Sequence, residues 1–87
     1  MRFIDTAVNR EKRFSIGRDA ESGRHYLSIP VANRLADYEE YYEISAELHD
    51  CYPASEFVLS QFAQECRQQL HDALILQKPG KDRGVAV

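Results

Sequence analysis

Polar and hydrophobic residues alternate over residues 13–18 and again over residues 25–31. Because side chains of a β-strand point alternately to its two faces, this period of two predicts a strand in each segment. Residues 19–23 lie between the segments and have the sequence Asp-Ala-Glu-Ser-Gly, which is typical of a turn. We therefore predict a hairpin. The hydrophobic positions that define it are Phe14, Ile16, Leu27, Ile29 and Val31.

Pro30 interrupts the second predicted strand. Proline has no amide hydrogen to donate, so we expect that strand to lie at an edge of the sheet or to bulge at Pro30. Residues 1–12 are polar and weakly patterned, and we interpret residues 9–12 as a loop or a short helical turn.

A period of about four residues predicts an α-helix from Glu56 to about Leu70. Its apolar positions include Val58, Leu59, Phe62, Ala63 and Cys66. Ser55 is a predicted N-cap of this helix, and Ser45 is a predicted N-cap of a short helix over residues 46–50. Residues 73–76 form an apolar run that we interpret as a final strand.

Residues 38–44 are compatible with either a strand or a helix. As a strand, Tyr38, Glu40 and Tyr42 share one face and Glu39 and Tyr41 lie on the other. As a helix, the tyrosines cluster on one side. The short distance from the hairpin favours a third antiparallel strand.

The predicted fold class is α+β, with an antiparallel sheet of three to four strands packed against one long α-helix. The 87 residues suffice for a single small domain over residues 1–87, in which residues 78–87 are expected to form a flexible basic tail. No apolar run approaches the roughly 20 residues that span a bilayer. The chain begins with Met1 and lacks the apolar block of a secretory signal, so we expect a complete cytoplasmic protein with both cysteines reduced.

The charges are divided unevenly along the chain. Residues 35–66 hold eight carboxylates and no lysine or arginine. The three segments 1–34, 35–66 and 67–87 carry +3, −8 and +2, which give the net charge of −3. Such a division can steer a partner of opposite charge, although it does not identify one.

No group of residues has the pattern of a catalytic or metal site. His49, Asp50 and Cys51 are adjacent, and Cys66 precedes His71 by five positions, but neither spacing is that of a zinc site. Carboxylates near Cys51 would raise the pKa of a thiol nucleophile rather than lower it. We therefore expect no enzyme activity, no catalytic residue, no metal and no cofactor.

Residues 26–33 have the sequence Tyr-Leu-Ser-Ile-Pro-Val-Ala-Asn, and residues 37–44 have the sequence Asp-Tyr-Glu-Glu-Tyr-Tyr-Glu-Ile. Together they resemble a pattern in small bacterial proteins. Some of those proteins are similar to immunity proteins of toxin–immunity pairs, including contact-dependent inhibition systems. The resemblance covers about 20 of the 87 residues. It implies a cytosolic, non-enzymatic inhibitor that binds a cognate toxin domain, and it transfers no functional residue.

The leading hypothesis is therefore an immunity or inhibitor protein that binds a basic toxin, such as a nuclease, through an acidic, tyrosine-rich face. Tyrosine is enriched at interfaces, and carboxylates accelerate association with a basic partner. We expect a monomer or weak dimer without a membrane partner. The alternative is a small nucleic-acid-associated regulator that uses the hairpin arginines and the basic tail. The predicted partner-binding residues are Tyr38, Glu39, Glu40, Tyr41, Tyr42, Glu43, Glu47 and Asp50.

Overall fold

An antiparallel sheet of five strands forms the centre of the computed structural model, which describes residues 2–33, 36–78 and 83–86. Four strands follow one another along the chain and pair with their neighbours in the order β1-β2-β3-β4. The fifth, β5, pairs with the end of β3. The strands are β1 (Phe3–Asn9), β2 (Phe14–Asp19), β3 (His25–Ala32), β4 (Asp37–Ile44) and β5 (Val85–Ala86).

Two helices, α1 (Ala46–Asp50) and α2 (Glu56–Arg67), and a 3-10 turn at Asp72–Leu74 complete the described structure. The α+β class and the antiparallel sheet are confirmed. The predicted short helix over residues 46–50 is confirmed as α1, whereas the single long helix of the predicted fold is shorter than expected, because α2 ends at Arg67 rather than near Leu70.

The two predicted helix caps differ in outcome. The Ser45 hydroxyl accepts a hydrogen bond from the Leu48 amide at 3.1 Å, so the predicted cap of α1 is confirmed. The Ser55 hydroxyl makes no cap bond to α2 and instead donates to the Leu48 carbonyl at 2.7 Å. Ser55 is therefore the N-cap residue of α2 by position, as predicted, but its hydroxyl links the two helices and does not cap the first turn.

The core lies between one face of the sheet and α2. Alternate residues of β2, β3 and β4 point to this face, where Leu59, Ala63 and Cys66 of α2 cover them. Each large apolar side chain buried there contributes on the order of 1.5–3 kcal/mol. The strand residues of the core are Phe14, Ile16, Leu27, Ile29, Val31, Tyr42 and Ile44.

Pro30 lies in a central strand rather than in an edge strand. On one side, β3 pairs with β4 over its whole length. On the other side, pairing with β2 ends at Ser28 and pairing with β5 begins at Val31. Pro30 falls between these two neighbours, where that side of β3 has no ladder partner among the described residues. The prediction of an edge strand or a bulge was therefore wrong, because a gap in the pairing on one side accommodates the missing amide hydrogen inside a central strand.

Sequence patterns missed or misplaced two further elements. Residues 3–9 form the edge strand β1, which we had not predicted, and the turn that follows it covers residues 10–13, one residue beyond the predicted loop at residues 9–12. The predicted final strand at residues 73–76 is wrong. This run forms most of the 3-10 turn and one isolated bridge between Ile75 and Tyr42.

Part of the expected flexible tail is packed on the sheet. Val85 and Ala86 pair with Ala32 and Val31, and the Gly84 amide donates a hydrogen bond to the Tyr38 hydroxyl at 3.0 Å. Residues 79–82 and 87 of the predicted tail lie outside the described residues.

Candidate functional site

The acidic tyrosine segment forms β4, which is antiparallel to β3 from Asp37 to Ile44. The strand interpretation of residues 38–44 is confirmed. Its residues consequently alternate between two faces of the sheet. Tyr38, Glu40 and Tyr42 point toward the helices, whereas the intervening residues point to the opposite side, which we call the open face. The open face carries Phe3, Asp5, Tyr26, Ser28, Glu39, Tyr41 and Glu43.

On the helix side, Glu40 is at the centre of a hydrogen-bond network. It is 4% exposed and accepts hydrogen bonds from the hydroxyls of Tyr42 at 2.8 Å and Tyr38 at 3.0 Å. The Arg83 guanidinium donates two more, at 2.9 and 3.0 Å. Burial opposes ionisation of Glu40, but the bonds from Arg83, Tyr42 and Tyr38 outweigh it and hold the carboxyl pKa below its ordinary value.

This network excludes two predicted residues from any docking surface. Tyr42 is fully buried and Glu40 is nearly so, hence neither is accessible to a partner. Sequence alternation placed them together with Tyr38, but it did not show which face would be covered.

The open face has an aromatic centre. The Phe3 and Tyr41 rings are stacked with centroids 3.7 Å apart, and Tyr26 lies edge-on to both. Gly17 lies beneath Tyr26, and a Cβ at that position would be 2.5 Å from the Tyr26 hydroxyl oxygen. The glycine therefore allows Tyr26 to lie flat against the sheet and to donate a hydrogen bond to Asp5 at 2.5 Å.

Two exposed carboxylates lie beside these rings. Asp5 accepts from Tyr26, and Glu39 accepts from the Ser28 hydroxyl at 2.9 Å. Burial raises the pKa of Glu39 and the negative charge of Asp5 raises it further, against the opposing effect of the Ser28 bond. Within the described part of the chain, neither Asp5 nor Glu39 takes part in an ion pair.

The same negative field acts on Tyr41. Burial is the main cause that raises the pKa of its hydroxyl, and the charges of Glu39 and Asp5 add to it. Glu43, the next residue of β4 on the open face, adds less negative charge because it forms a 3.1 Å ion pair with Arg24 of the hairpin. The negative part of the open face is thus centred on Asp5 and Glu39.

The remaining two predicted residues lie elsewhere. Glu47 and Asp50 are exposed residues of α1, whose Leu48 packs against the core on the helix side of the sheet. Glu47 and Asp50 are therefore not part of the open face that carries Glu39 and Tyr41.

Sequence reasoning missed Phe3 and Asp5 because it did not recognise β1. The alternation of Ile4, Thr6 and Val8 with Phe3, Asp5 and Ala7 was a signal for a strand, since β-branched residues favour strands. The signal was weak because polar and apolar residues occur on both faces of this edge strand.

A second polar cluster lies at the other side of the sheet. His25 at the start of β3 and His49 and Asp50 at the end of α1 bring three potential metal-ligand atoms within 4.8 Å of one another. Thr6 adjoins the cluster, with its Oγ1 2.7 Å from Nε2 of His49.

Both cysteines are free, as expected. Cys51 is exposed and Cys66 is buried in the core. Burial raises the pKa of the Cys66 thiol to about 12, so this group remains a neutral thiol near neutral pH.

Comparisons of the chain with protein-family models, with curated proteins and with solved structures each found no match. Among the described residues, no helix has both the length and the apolar character needed to cross a membrane.

Proposed function

We propose that this protein is a non-enzymatic inhibitor of the immunity-protein kind and that it binds a cognate basic protein toxin, such as a nuclease, through the open face of its sheet. The observation that carries the proposal is the pair of exposed carboxylates, Asp5 and Glu39, beside the Phe3–Tyr41 stack. The two carboxylates raise each other's electrostatic energy, which a cation from a partner would lower.

The chemistry of this face fits a basic protein partner. A lysine or arginine placed between Asp5 and Glu39 would pair with both carboxylates, and its aliphatic part or guanidinium plane would contact the Tyr41 ring. The Arg2 guanidinium already lies over the Phe3 ring, 4.7 Å from its centroid. Nuclease active sites carry basic residues to hold phosphate, so a carboxylate pair of this kind can occupy the position of a phosphate group.

The proposed binding residues differ from the set expected from the sequence. Tyr41 and Glu39 are kept as anchor and charged contact, with Glu43 at the rim because Arg24 already pairs with it. Phe3 and Asp5 are added from β1. Loss of the buried part of an aromatic anchor would cost about 2 kcal/mol or more of binding free energy, whereas a rim carboxylate would mainly change the association rate and its salt dependence.

The test uses the product of the gene adjacent to this one, produced in an inactive form. Asp5→Asn combined with Glu39→Gln removes both charges but keeps an oxygen acceptor for Tyr26 and for Ser28. Glu11→Gln combined with Glu47→Gln is the matched control, because it removes two exposed carboxylates outside the open face. We expect slower association, weaker binding and a shallower salt dependence for the first double variant only.

Binding by the wild type that both double variants weaken equally would contradict the open face as the site. Absence of any complex with the wild-type protein would contradict the proposed function itself. Circular dichroism of each variant checks that the sheet is intact, so that a loss of binding reports on the surface.

A further inference from the structure

The cluster of His25, His49 and Asp50 joins two elements that are distant in the sequence. His25 is the first residue of β3, and the other two are the last residues of α1. The Nδ1 atom of His49 is 2.8 Å from Oδ1 of Asp50, and the two imidazole rings have centroids 4.4 Å apart. The three potential ligand atoms lie within 4.8 Å of one another.

The surrounding structure holds His49 in place. Its ring contacts Asp50 through Nδ1 and Thr6 through Nε2, so both nitrogens have a polar neighbour. Thr6 in turn donates a hydrogen bond to the Ile16 carbonyl at 3.3 Å. The His49 side chain is only 15% exposed, whereas that of Asp50 is 69% exposed. One ligand is therefore fixed and another can rotate.

We propose that His25, His49 and Asp50 bind a divalent transition-metal ion with the ligand preference of Zn²⁺. Two imidazoles and one carboxylate are ligand types that Zn²⁺ accepts, and a site with three protein ligands leaves a fourth position for water. The Thr6 hydroxyl, which contacts Nε2 of His49, would hold the ring while Nδ1 binds the ion. The site is independent of the open face and of the function proposed for it.

The geometry needs only side-chain adjustment to accept the ion. Ligand atoms of a tetrahedral zinc site lie about 3.3 Å apart, given bonds of about 2.0 Å. The 2.8 Å separation of His49 and Asp50 is already below this value, and the metal would replace the proton that joins them. Rotation of the exposed Asp50 side chain and a small movement of His25 would bring the remaining separations into range.

The positive charge of Arg18 faces the site. Arg18 is the partner of His25 across β2 and β3, and directly paired residues of antiparallel strands project to the same face. The other strand neighbour of His25 is Ile44, which is apolar. Asp50 opposes the repulsion from Arg18, and Arg18 is exposed, so water screens its charge.

A bound ion would connect β3 to α1 directly. A ligand that binds only the folded state stabilises it, and the gain grows with the logarithm of the ratio of ligand concentration to Kd. Metal binding is therefore expected to raise the thermal unfolding temperature of the wild-type protein.

The test titrates the full-length protein with Zn²⁺ by isothermal calorimetry and with Co²⁺ by visible absorption. We expect one ion per chain and an absorption spectrum typical of nitrogen and oxygen ligands. His25→Asn, His49→Asn and Asp50→Asn should each weaken binding by at least the roughly 10–100-fold that loss of an outer-shell partner costs. Arg18→Gln should tighten binding, since it removes a nearby positive charge.

His71→Asn is the matched control. His71 also lies beside a carboxylate, with its Nε2 2.7 Å from Oε1 of Glu65, but it is not a member of the three-residue cluster. Its substitution, and that of the exposed thiol by Cys51→Ser, should leave the affinity for Zn²⁺ unchanged. Equal weakening by His71→Asn and His49→Asn, or no binding of Zn²⁺ to the wild type, would overturn the proposal.

Discussion

The guanidinium of Arg83 forms two hydrogen bonds with the carboxylate of Glu40, although 43 positions separate the two residues. Nη1 and Nη2 of the same guanidinium donate to Asp72 at 2.9 and 3.0 Å. Arg83 therefore neutralises a carboxylate that is 4% exposed and connects the carboxyl-terminal segment to β4 and to the 3-10 turn.

Arg83→Ala is expected to destabilise the fold by about 3 kcal/mol, because it leaves the Glu40 charge buried without its cation. This value is at the lower end for buried pairs, since the Arg83 side chain is 23% exposed. Urea unfolding measures the loss. Arg24→Ala is the control, since its ion pair with Glu43 is exposed and should contribute less than about 1 kcal/mol. Adding Glu40→Gln to Arg83→Ala should restore part of the stability; no restoration would contradict the role given to the buried charge.

Features that depend on neighbouring residues could be predicted from the sequence, whereas contacts between residues far apart in the sequence could not. The hairpin of β2 and β3 was predictable because local alternation between a covered and an exposed face determines it. Burial of Glu40 was not predictable, since it depends on Arg83 from a distant segment. The pairing of His25 with His49 and Asp50 was also invisible, because 24 positions separate the histidines and no motif spacing joins them.

Asp19 is expected to make the stability of the fold depend on pH in the acid range. Its carboxyl is fully buried, and hydrogen bonds from Arg2 are the main cause that holds its pKa well below its ordinary value, against the cost of burial. In the unfolded chain this group titrates near pH 3.9. The unfolded state therefore binds more protons than the folded state below about pH 4, and the free energy of unfolding should fall as the pH drops further.

Asp19→Asn tests this assignment because asparagine removes the titrating group and has nearly the same shape, although its single oxygen can accept from only one of the Glu21 amide and the Ser22 hydroxyl. The variant should be less stable at pH 7, and its urea midpoint should change less between pH 7 and pH 3 than that of the wild type. Glu11→Gln removes an exposed carboxylate and serves as the control. An equal change with pH in wild type and Asp19→Asn would show that other carboxylates cause the acid loss.

Gly17→Ala is expected to weaken the attachment of β1 to the sheet. A Cβ at this position would meet the Ile4 carbonyl of β1 and the Tyr26 ring, so the strand must shift, at a cost of about 1–3 kcal/mol. Amide hydrogen exchange should accelerate more in β1 than in β3.

Gly23→Ala is the comparison, since a Cβ there meets nothing within 4 Å and its cost arises only from a φ of 75° in the turn. It should leave exchange in β1 unaffected. Faster exchange in β1 for both variants would contradict the steric explanation.

The Phe3–Tyr41 stack is expected to stabilise the open face of the sheet. The rings are nearly parallel, at 6°, and connect β1 to β4 across the two strands between them. Phe3→Leu, Tyr41→Leu and the double variant form a cycle whose coupling energy should be about 0.5–1.5 kcal/mol, the range for aromatic pairs beyond buried area. Phe3→Leu with Tyr52→Leu should be additive, because Tyr52 contacts Phe14 on the helix side. Tyr41→Phe keeps the stacked ring and should therefore retain the stability that Tyr41→Leu loses. Additive losses in the Phe3–Tyr41 cycle would mean that the two rings do not hold the outer strands together.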